Sequence, residues 1–285
     1  MCMEPSFTHE PPSMQLDDLF ANLHQLPNVP KVAQDLIQQF DNPNTSVESV
    51  ARNIACDPVI SARVLRLANS ARFRGAREST SVEDAAMRLG FNTLRTLVLA
   101  SAFTSAFKLH AGFDLKAFWY HSFLVASISR LLAKQVGADA ETAFTCGMLH
   151  DIGELLIQTG APHLAEALGT GAISSPGRAA NEILQLGFGY PEVGAELARR
   201  WQLPKVLQEA IAFQARPLQA PNGSTLPYVV AQSVALAQAL HDNDGNIDLA
   251  LESVKGPLTA NMDRTALSKS LPGAIETAKA FVEMV

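Results

Sequence analysis

The sequence is poor in cysteine and has no excess of basic residues. Its 285 residues include only three cysteines, Cys2, Cys56 and Cys146, which are far apart and form no Cys-x-x-Cys pair. This spacing argues against a disulfide framework or a zinc knuckle and favours a reducing compartment. The formal net charge of −6 disfavours nucleic acid and anionic membranes as partners of the protein as a whole.

Signals that direct a chain to or across a membrane are missing as well. The first residues, MCMEPSFTHEPPSMQLDD, contain neither a basic segment nor an apolar one, and so do not resemble a signal peptide. Even the apolar stretch TLVLASAFTSAF is too short to span a bilayer and is interrupted by hydroxyl side chains. We therefore expect a cytoplasmic protein with no membrane partner.

What the sequence does contain is helical periodicity along most of its length. Apolar residues recur every three or four positions, for example over residues 30–40, and capping residues precede many such segments. Asp57 and Pro58 start one predicted helix, Gly90 ends another, and Asp114 caps a long helix that runs through about Gln135. No segment shows convincing strand-like alternation of apolar and polar residues. We therefore predict an all-α, multi-helix fold.

The helices are expected to form two packed bundles. The predicted divisions are a mobile N-terminus at 1–15, an N-terminal helical subdomain at 16–110, a second helical subdomain at 111–220, and C-terminal helices at 221–285 that pack on the second. Thr45 is the predicted N-cap of an early helix, with Glu48 completing a capping box. The last helix is predicted from Ala274 to the end.

The segment GMLHDIGELL places His150 beside Asp151 in an apolar stretch that is predicted to be helical. Such a pair could bind a catalytic metal ion or form a buried hydrogen bond. A catalytic zinc site usually has three protein ligands, and harder ions take more oxygen ligands. His121, on the core-facing side of the long helix, is the best additional candidate, because His163 and His241 lie in loop-like or turn-like sequence. The candidate metal ligands are therefore His121, His150 and Asp151.

Several motifs, taken in order, resemble the HDOD domain. They are DPVISARVLRLANSARFRG, SVEDAAMRLGFNTLRTLVLA, FWYHSFLVA, GMLHDIGELL and YPEVGAELARRWQLP, and the similarity runs from about Leu26 to about Arg216. The resemblance implies a bacterial signalling module related to the HD and HD-GYP phosphohydrolases. The subdomain at 111–220 would then be a degenerate HD-like bundle.

By this resemblance, His121, His150 and Asp151 match the first ligands of HD phosphohydrolases, but later positions differ. The residues at the later ligand positions are Tyr190, Phe213, Gln214, Ala215, and Gln232 or Ser233, while Glu154 replaces a lysine that is frequent in HD-GYP proteins. Tyr, Phe, Gln and Ala cannot replace imidazole or carboxylate as strong metal ligands. We therefore expect a vestigial, hydrogen-bonded cluster without phosphohydrolase activity or a cofactor. A weakly bound divalent metal is the alternative.

Arginine is concentrated between positions 63 and 95. The seven residues are Arg63, Arg66, Arg72, Arg74, Arg77, Arg88 and Arg95. Guanidinium groups suit carboxylate and phosphate, so the first five are candidates for binding an anion or an acidic partner surface. The alternative is a solvated surface with a few salt bridges. Nucleic acid is not expected, because no basic recognition helix stands out.

The resulting interpretation is a non-catalytic signal-transduction module. It would bind another signalling protein, for example of a cyclic-di-GMP or two-component pathway, or form a homo-oligomer. The alternatives are a metal-dependent phosphohydrolase with unusual ligands and a nucleotide-sensing pocket without turnover. Cys146, one turn before His150, could suggest a nucleophile, but a buried structural cysteine is commoner. The calcium-like segment HDNDGNIDLALE is interpreted as a turn followed by an N-cap.

Overall fold

The computed structural model describes residues 15–22, 33, 46–107, 109, 112–161 and 177–283. Every regular element within these residues is helical, and none is a strand, so the predicted all-α fold is confirmed. In chain order the α-helices are α1 Leu16–Asn22, α2 Val47–Ala55, α3 Pro58–Ala68, α4 Val82–Ala106, α5 Leu115–Gln135, α6 Ala140–Leu149, α7 Ile152–Gly160, α8 Arg178–Leu186, α9 Tyr190–Arg200, α10 Lys205–Phe213, α11 Leu226–Asp242, α12 Ile247–Ser253 and α13 Arg264–Val282.

Helices α2, α3 and α4 pack together as an N-terminal bundle. The predicted start of α3 is confirmed, because Pro58 is its first residue and the Asp57 side chain accepts hydrogen bonds from the first-turn amides. The start of α2 was predicted one residue too early. Its N-cap is Ser46, whose extended backbone lets the hydroxyl accept a hydrogen bond from the Ser49 amide at 3.2 Å.

Gly90 divides α4 into two helical segments. Its φ of 76° and ψ of 164° lie outside the helical region, and residues with a side chain rarely adopt them. The helix break predicted at Gly90 is therefore confirmed. The second segment, after the kink, is buried along most of its length.

Helix α5 lies at the centre of the second bundle and packs against α6, α11 and α13. Asp114 caps it, accepting a hydrogen bond from the Ala117 amide at 2.9 Å, and the helix ends at Gln135 as predicted. Trp119 and Phe123 are buried in this core and stack at 5.6 Å between ring centroids. The C-terminal helices α11 and α13 therefore pack on the second bundle, while the exact subdomain boundaries stay predictions.

The last helix was predicted ten residues too late. Helix α13 begins at Arg264 with Asp263 as N-cap, and Pro272 lies inside it. Proline removes one helical hydrogen bond and its ring crowds the preceding turn, but buried residues on both sides of it, including Leu271 and Phe281, hold the helix against the core. The predicted helix at 30–40 lies almost entirely outside the described residues, and so does the N-terminus at 1–14. No described helix combines the length and the apolar character needed to cross a membrane.

Candidate functional site

The His-Asp pair lies between two helices, so its predicted position inside one helix was wrong. Helix α6 ends at Leu149 and α7 begins at Ile152, which leaves the two fully buried residues His150 and Asp151 as the junction. The first turn after the junction packs closely against a distant helix. A Cβ on Gly153, in the first turn of α7, would lie 2.1 Å from the Tyr190 carbonyl oxygen. Glycine therefore lets α7 contact the start of α9.

The structure brings the two predicted histidines together. His121 on α5 faces His150, and their ring centroids are 5.6 Å apart. The His150 Nδ1 atom lies 2.7 Å from the Gly147 carbonyl oxygen, and the Gln214 amide nitrogen donates to the His150 carbonyl at 2.6 Å. Since a carbonyl oxygen only accepts, the Nδ1 atom of His150 carries the proton.

Burial keeps both imidazoles neutral near pH 7. It is the main cause that lowers the pKa of His121 well below its ordinary value, and the neighbouring His150 and Arg178 side chains act in the same direction. Burial also lowers the pKa of His150 to about 4, although its contact with the Gly147 carbonyl opposes the shift. Neutral imidazoles in a buried junction suit a hydrogen-bonded cluster.

Arg178, which the sequence analysis did not identify, lies beside this junction in the first turn of α8. Its side chain is only 10% exposed and forms ion pairs with the buried carboxylates of Glu154 and Glu182, the latter at 2.7 Å from Nε. Its guanidinium carbon lies 5.3 Å from the centre of the Tyr190 ring. Burial alone would lower the pKa of Arg178. The negative charges of Glu154, Asp151 and Glu182 have the larger effect, so the pKa is raised.

Further hydrogen bonds hold the two glutamates of this network. The Gln158 amide donates to the Glu154 carboxylate at 2.6 Å, and the Tyr190 backbone amide donates to Glu182 at 2.6 Å. Burial raises the pKa of Glu182, against the opposing effect of Arg178. We refer to Asp151, Glu154, Arg178 and Glu182 as the buried charge network. It connects the His-Asp junction with α8 and α9.

Polar side chains at the later positions, where an HD phosphohydrolase is expected to carry metal ligands, form hydrogen bonds with other groups. Of residues 213–215, Gln214 is the buried one, and it holds the His150 backbone. The Gln232 side chain accepts from the Leu258 amide at 2.8 Å, and Ser233 accepts from Ser129 at 2.9 Å. Among the described residues, no three His, Cys, Asp or Glu side chains form a group that could hold a metal ion. The vestigial metal-ligand assignment stays a prediction.

The predicted arginine cluster is divided by the fold. Arg95 is buried and donates to the Thr145 hydroxyl at 3.1 Å, and Arg66 donates to the Glu283 backbone carbonyl. Arg63 is half-buried, and burial is the main cause that lowers its pKa. Arg88 lies 3.8 Å from Asp84. These arginines therefore contact other groups of the same chain and are less suited to binding a partner.

The exposed remainder of the cluster is Arg72, Arg74 and Arg77. Arg77 lies 3.9 Å from Asp84 with its own side chain 84% exposed. Between the first two, Phe73 packs edge-on against Phe281 of α13, with ring centroids 6.1 Å apart. The contact anchors Phe73 on α13, and Arg72 and Arg74 are exposed on either side of it.

Two weaker motifs have structural explanations. Cys146 is fully buried, and burial raises the pKa of its thiol. Since thiolate is the reactive form, this environment does not suit a nucleophile. In the calcium-like segment, the Asn246 side chain accepts from the Leu249 amide at 3.1 Å and caps α12. The predicted turn and N-cap are confirmed.

Comparison with known proteins yields one family. Residues 26–217 match the profile of the HDOD domain. The crystal structure of a candidate phosphohydrolase from Shewanella amazonensis SB2B is 36% identical, covers 92% of this chain and 97% of its own, and superposes with a TM-score of 0.71.

Two more distant crystal structures show the same fold. An HDOD domain protein of unknown function from Geobacter sulfurreducens is 23% identical over 95% of this chain and 97% of its own, with a TM-score of 0.71. A candidate signal transduction protein from Marinobacter aquaeolei VT8 is 24% identical, with a TM-score of 0.72, over 94% of this chain and 60% of its own.

An uncharacterised protein of Treponema pallidum (strain Nichols) is 26% identical over 204 residues, and the match spans 70% of this chain but only 39% of that relative.

Proposed function

The chain belongs to the HDOD domain family, and from this we propose that it is a non-catalytic signalling module that acts by binding another protein. The main support is the position of Arg178 in the buried charge network. Two carboxylates bind its guanidinium directly, and the carboxylate of Asp151 contributes to its raised pKa. The protein thus places its own cation among the acidic side chains next to His150.

A fixed arginine cannot do the chemistry of a metal ion at this position. A hydrolytic metal centre generates hydroxide from bound water and polarises the phosphoryl oxygen. Guanidinium remains charged at any pH that the protein withstands and offers no lone pair or open coordination position. The side chains of Tyr190 and Gln214 add no strong ligand. The set of residues therefore fits a structural cluster better than a hydrolytic metal centre.

The catalytic side of the proposal is tested with purified protein and added Mn²⁺ or Fe²⁺. Bis(p-nitrophenyl) phosphate and cyclic dinucleotides are the probes, and His150→Ala is the matched variant. We expect equal background rates for the wild type and the variant. Metal-dependent turnover by the wild type that disappears in His150→Ala would instead establish the phosphohydrolase alternative.

The proposed binding surface is the exposed pair Arg72 and Arg74. Both are exposed and flank Phe73, whose ring contacts Phe281 of α13. In a chain of net charge −6 this is a local excess of positive charge, and guanidinium groups pair well with carboxylates. We propose that it meets an acidic surface of another signalling protein, with self-association as the other outcome.

The surface is tested by charge reversal. Arg72→Glu with Arg74→Glu should abolish capture of the partner from native lysate, and the wild-type interaction should weaken as salt is raised. Arg264→Glu with Lys269→Glu is the matched control, because it makes the same charge change at exposed positions of α13. Retention of the partner by the first variant, or equal loss by both, would contradict this surface.

A further inference from the structure

The exposed arginines lie in a loop whose two ends are hydrogen-bonded to each other. The Asn69 side chain donates to the Ser79 carbonyl at 2.9 Å and accepts from the Ser79 amide at 2.7 Å. We refer to residues 70–78, which this pair encloses, as the arginine loop. The Asn69–Ser79 pair fixes where the loop begins and ends, but it does not fix the conformation of the residues between.

Phe73 anchors the body of the arginine loop. It is the only residue of 71–78 that is not exposed, and the loop contains no other apolar side chain larger than that of alanine. The backbone forms a single turn, in which the Phe73 and Arg74 amides donate to the Ser70 carbonyl at 3.1 Å and 2.9 Å. The packing of the Phe73 ring is therefore the main apolar contact of the loop.

The ring that Phe73 contacts belongs to the opposite end of the chain. Phe281, in the last turn of α13, is 2% exposed and meets Phe73 edge-on at 6.1 Å between ring centroids. It also stacks on Phe123 of α5 at 4.9 Å and lies 6.2 Å from Phe144 of α6. One side chain thus joins the arginine loop, which connects α3 with α4, to two helices of the second bundle.

A polar contact holds the same end of α13 to the N-terminal bundle. Arg66, in the last turn of α3, donates to the backbone carbonyl of Glu283, the C-cap of α13. A cation is favourable there, because the last carbonyls of a helix have no partner within the helix and the helix dipole is negative at this end. The last turn of α13 is therefore bound both by α3 and by the loop that follows α3.

We propose that the last turn of α13 is a clasp that keeps the arginine loop folded, and that release of this turn switches the loop off as a binding surface. A released turn takes Phe281 away from Phe73, so the body of the loop loses its apolar contact. Helix ends open more readily than helix centres, so release does not require the second bundle to unfold. The switch rests on the proposed function of Arg72 and Arg74, whereas the clasp itself does not.

Limited proteolysis of the full chain tests the clasp. Trypsin cleaves after arginine and acts on locally opened segments, so its rate reports how often the arginine loop opens. Phe281→Leu, which keeps an apolar side chain but removes the ring, should accelerate cleavage within the loop at least tenfold. Cleavage after Lys205, whose side chain is 87% exposed, should keep its rate. Phe188→Leu, the same change at a buried ring between α8 and α9, should leave both rates at the wild-type value.

The reciprocal variant tests the same contact from the other side. Coupling between two groups is reciprocal, so Phe73→Ala should accelerate hydrogen exchange in the last turn of α13 at least tenfold and leave exchange in α9 unchanged. Phe73 is only partly buried, so this variant serves if Phe281→Leu does not fold. Unchanged exchange in Phe73→Ala, unchanged loop cleavage in Phe281→Leu, or an equal acceleration at Lys205 would overturn the clasp.

The switch is tested in the capture experiment from native lysate. Phe281→Leu should lose the partner although Arg72 and Arg74 are both present. Retention of the partner by this variant, while trypsin cleaves its loop rapidly, would overturn the switch. A wild type that captures no partner through these arginines would contradict the proposed function and the switch with it. The clasp would still stand or fall on the proteolysis, which requires no partner.

Discussion

The guanidinium of Arg178 forms a buried ion pair with the carboxylate of Glu154, across 24 residues of chain. Glu154 is fully buried, so water cannot stabilise its charge if the arginine is removed. The same guanidinium also pairs with Glu182 one turn further along α8, so it links a carboxylate of α7 with one of its own helix. The net contribution of such a pair to stability is small, but removing one partner is strongly destabilising, because the other charge is then buried without compensation.

Arg178→Met is therefore expected to destabilise the protein by about 3–5 kcal/mol. Methionine fills part of the space of the arginine stem but leaves the charges of Glu154 and Glu182 uncompensated. Urea unfolding monitored by circular dichroism measures the change in the free energy of unfolding.

Two comparisons make this prediction specific. The triple variant Arg178→Met, Glu154→Gln, Glu182→Gln should regain much of the loss, because no buried charge is stranded. Arg199→Met breaks a pair with Glu196 in which the arginine side chain is 63% exposed, and it should cost less than about 1 kcal/mol. If Arg178→Met were as mild as Arg199→Met, the buried charge network would have no structural role.

The buried histidines predict a loss of stability in mild acid. The unfolded chain takes up protons at its histidines as pH falls through 6.5, whereas folded His150, with a pKa of about 4, does not. The unfolded state then binds more protons, so the free energy of unfolding decreases between pH 6.5 and 4. For His150 alone the loss approaches about 3 kcal/mol at the lower limit. Chemical denaturation at a series of pH values measures it.

The contribution of His150 is isolated by substitution. His150→Gln should show a shallower decrease than the wild type over the same pH range, whereas His241→Gln, which removes an exposed imidazole, should follow the wild type. Glu182 acts in the opposite direction, because burial raises its pKa. Its contribution to stability is complete below the ordinary pKa of 4.5 and is lost as pH rises through the raised pKa of the folded state. A wild-type slope in His150→Gln would show that the imidazole is accessible to protons in the folded state.

The contact of Gly153 with α9 predicts a strong effect of a single methyl group. In Gly153→Ala the new Cβ would lie 2.1 Å from the Tyr190 carbonyl oxygen and 2.6 Å from the Gly194 amide nitrogen. Backbone atoms cannot give way as a flexible side chain can, so we expect a loss at or above the usual overpacking cost of about 1–3 kcal/mol. Thermal and urea unfolding measure it.

Gly273→Ala is the matched control for this substitution. Gly273 lies inside α13, and a Cβ there would meet no atom within 4 Å. Alanine should be neutral or stabilising by up to about 1 kcal/mol, because it is the better helix former. Similar losses in both variants would mean that α7 and α9 do not pack as closely as described.

Local signals explain which parts of the fold could be predicted from the sequence. The caps at Asp57 and Asp114 and the break at Gly90 depend on residues within one turn, and all three are confirmed. The junction at His150 does not depend on local signals. Its apolar neighbours favour a continuous helix, and the contacts made at the junction, such as that of Gly153 with α9, involve residues that are distant in sequence.

The candidate site was predictable only in part for the same reason. His121 was found because its helical spacing places it with core residues, and it does face His150. Arg178 was missed because its partner Glu154 is 24 residues away, and its spacing of four from Glu182 was the only local signal. Clustering in sequence also did not reveal that Arg95 points into the core while Arg72 and Arg74 do not.

The burial of Cys146 gives a direct test of the nucleophile alternative. Cys146 is fully buried and burial raises the pKa of its thiol, whereas Cys56 is exposed. Because thiolate is the species that reacts with Ellman's reagent, a variant that keeps only Cys146 should react at the rate of unfolding. A variant that keeps only Cys56 should react within the mixing time. Urea should accelerate the first reaction and leave the second unchanged.

Fast labelling of Cys146 in the native protein would mean that reagent and solvent reach the core beside His150, and a catalytic role for the Cys-His pair would then have to be reconsidered.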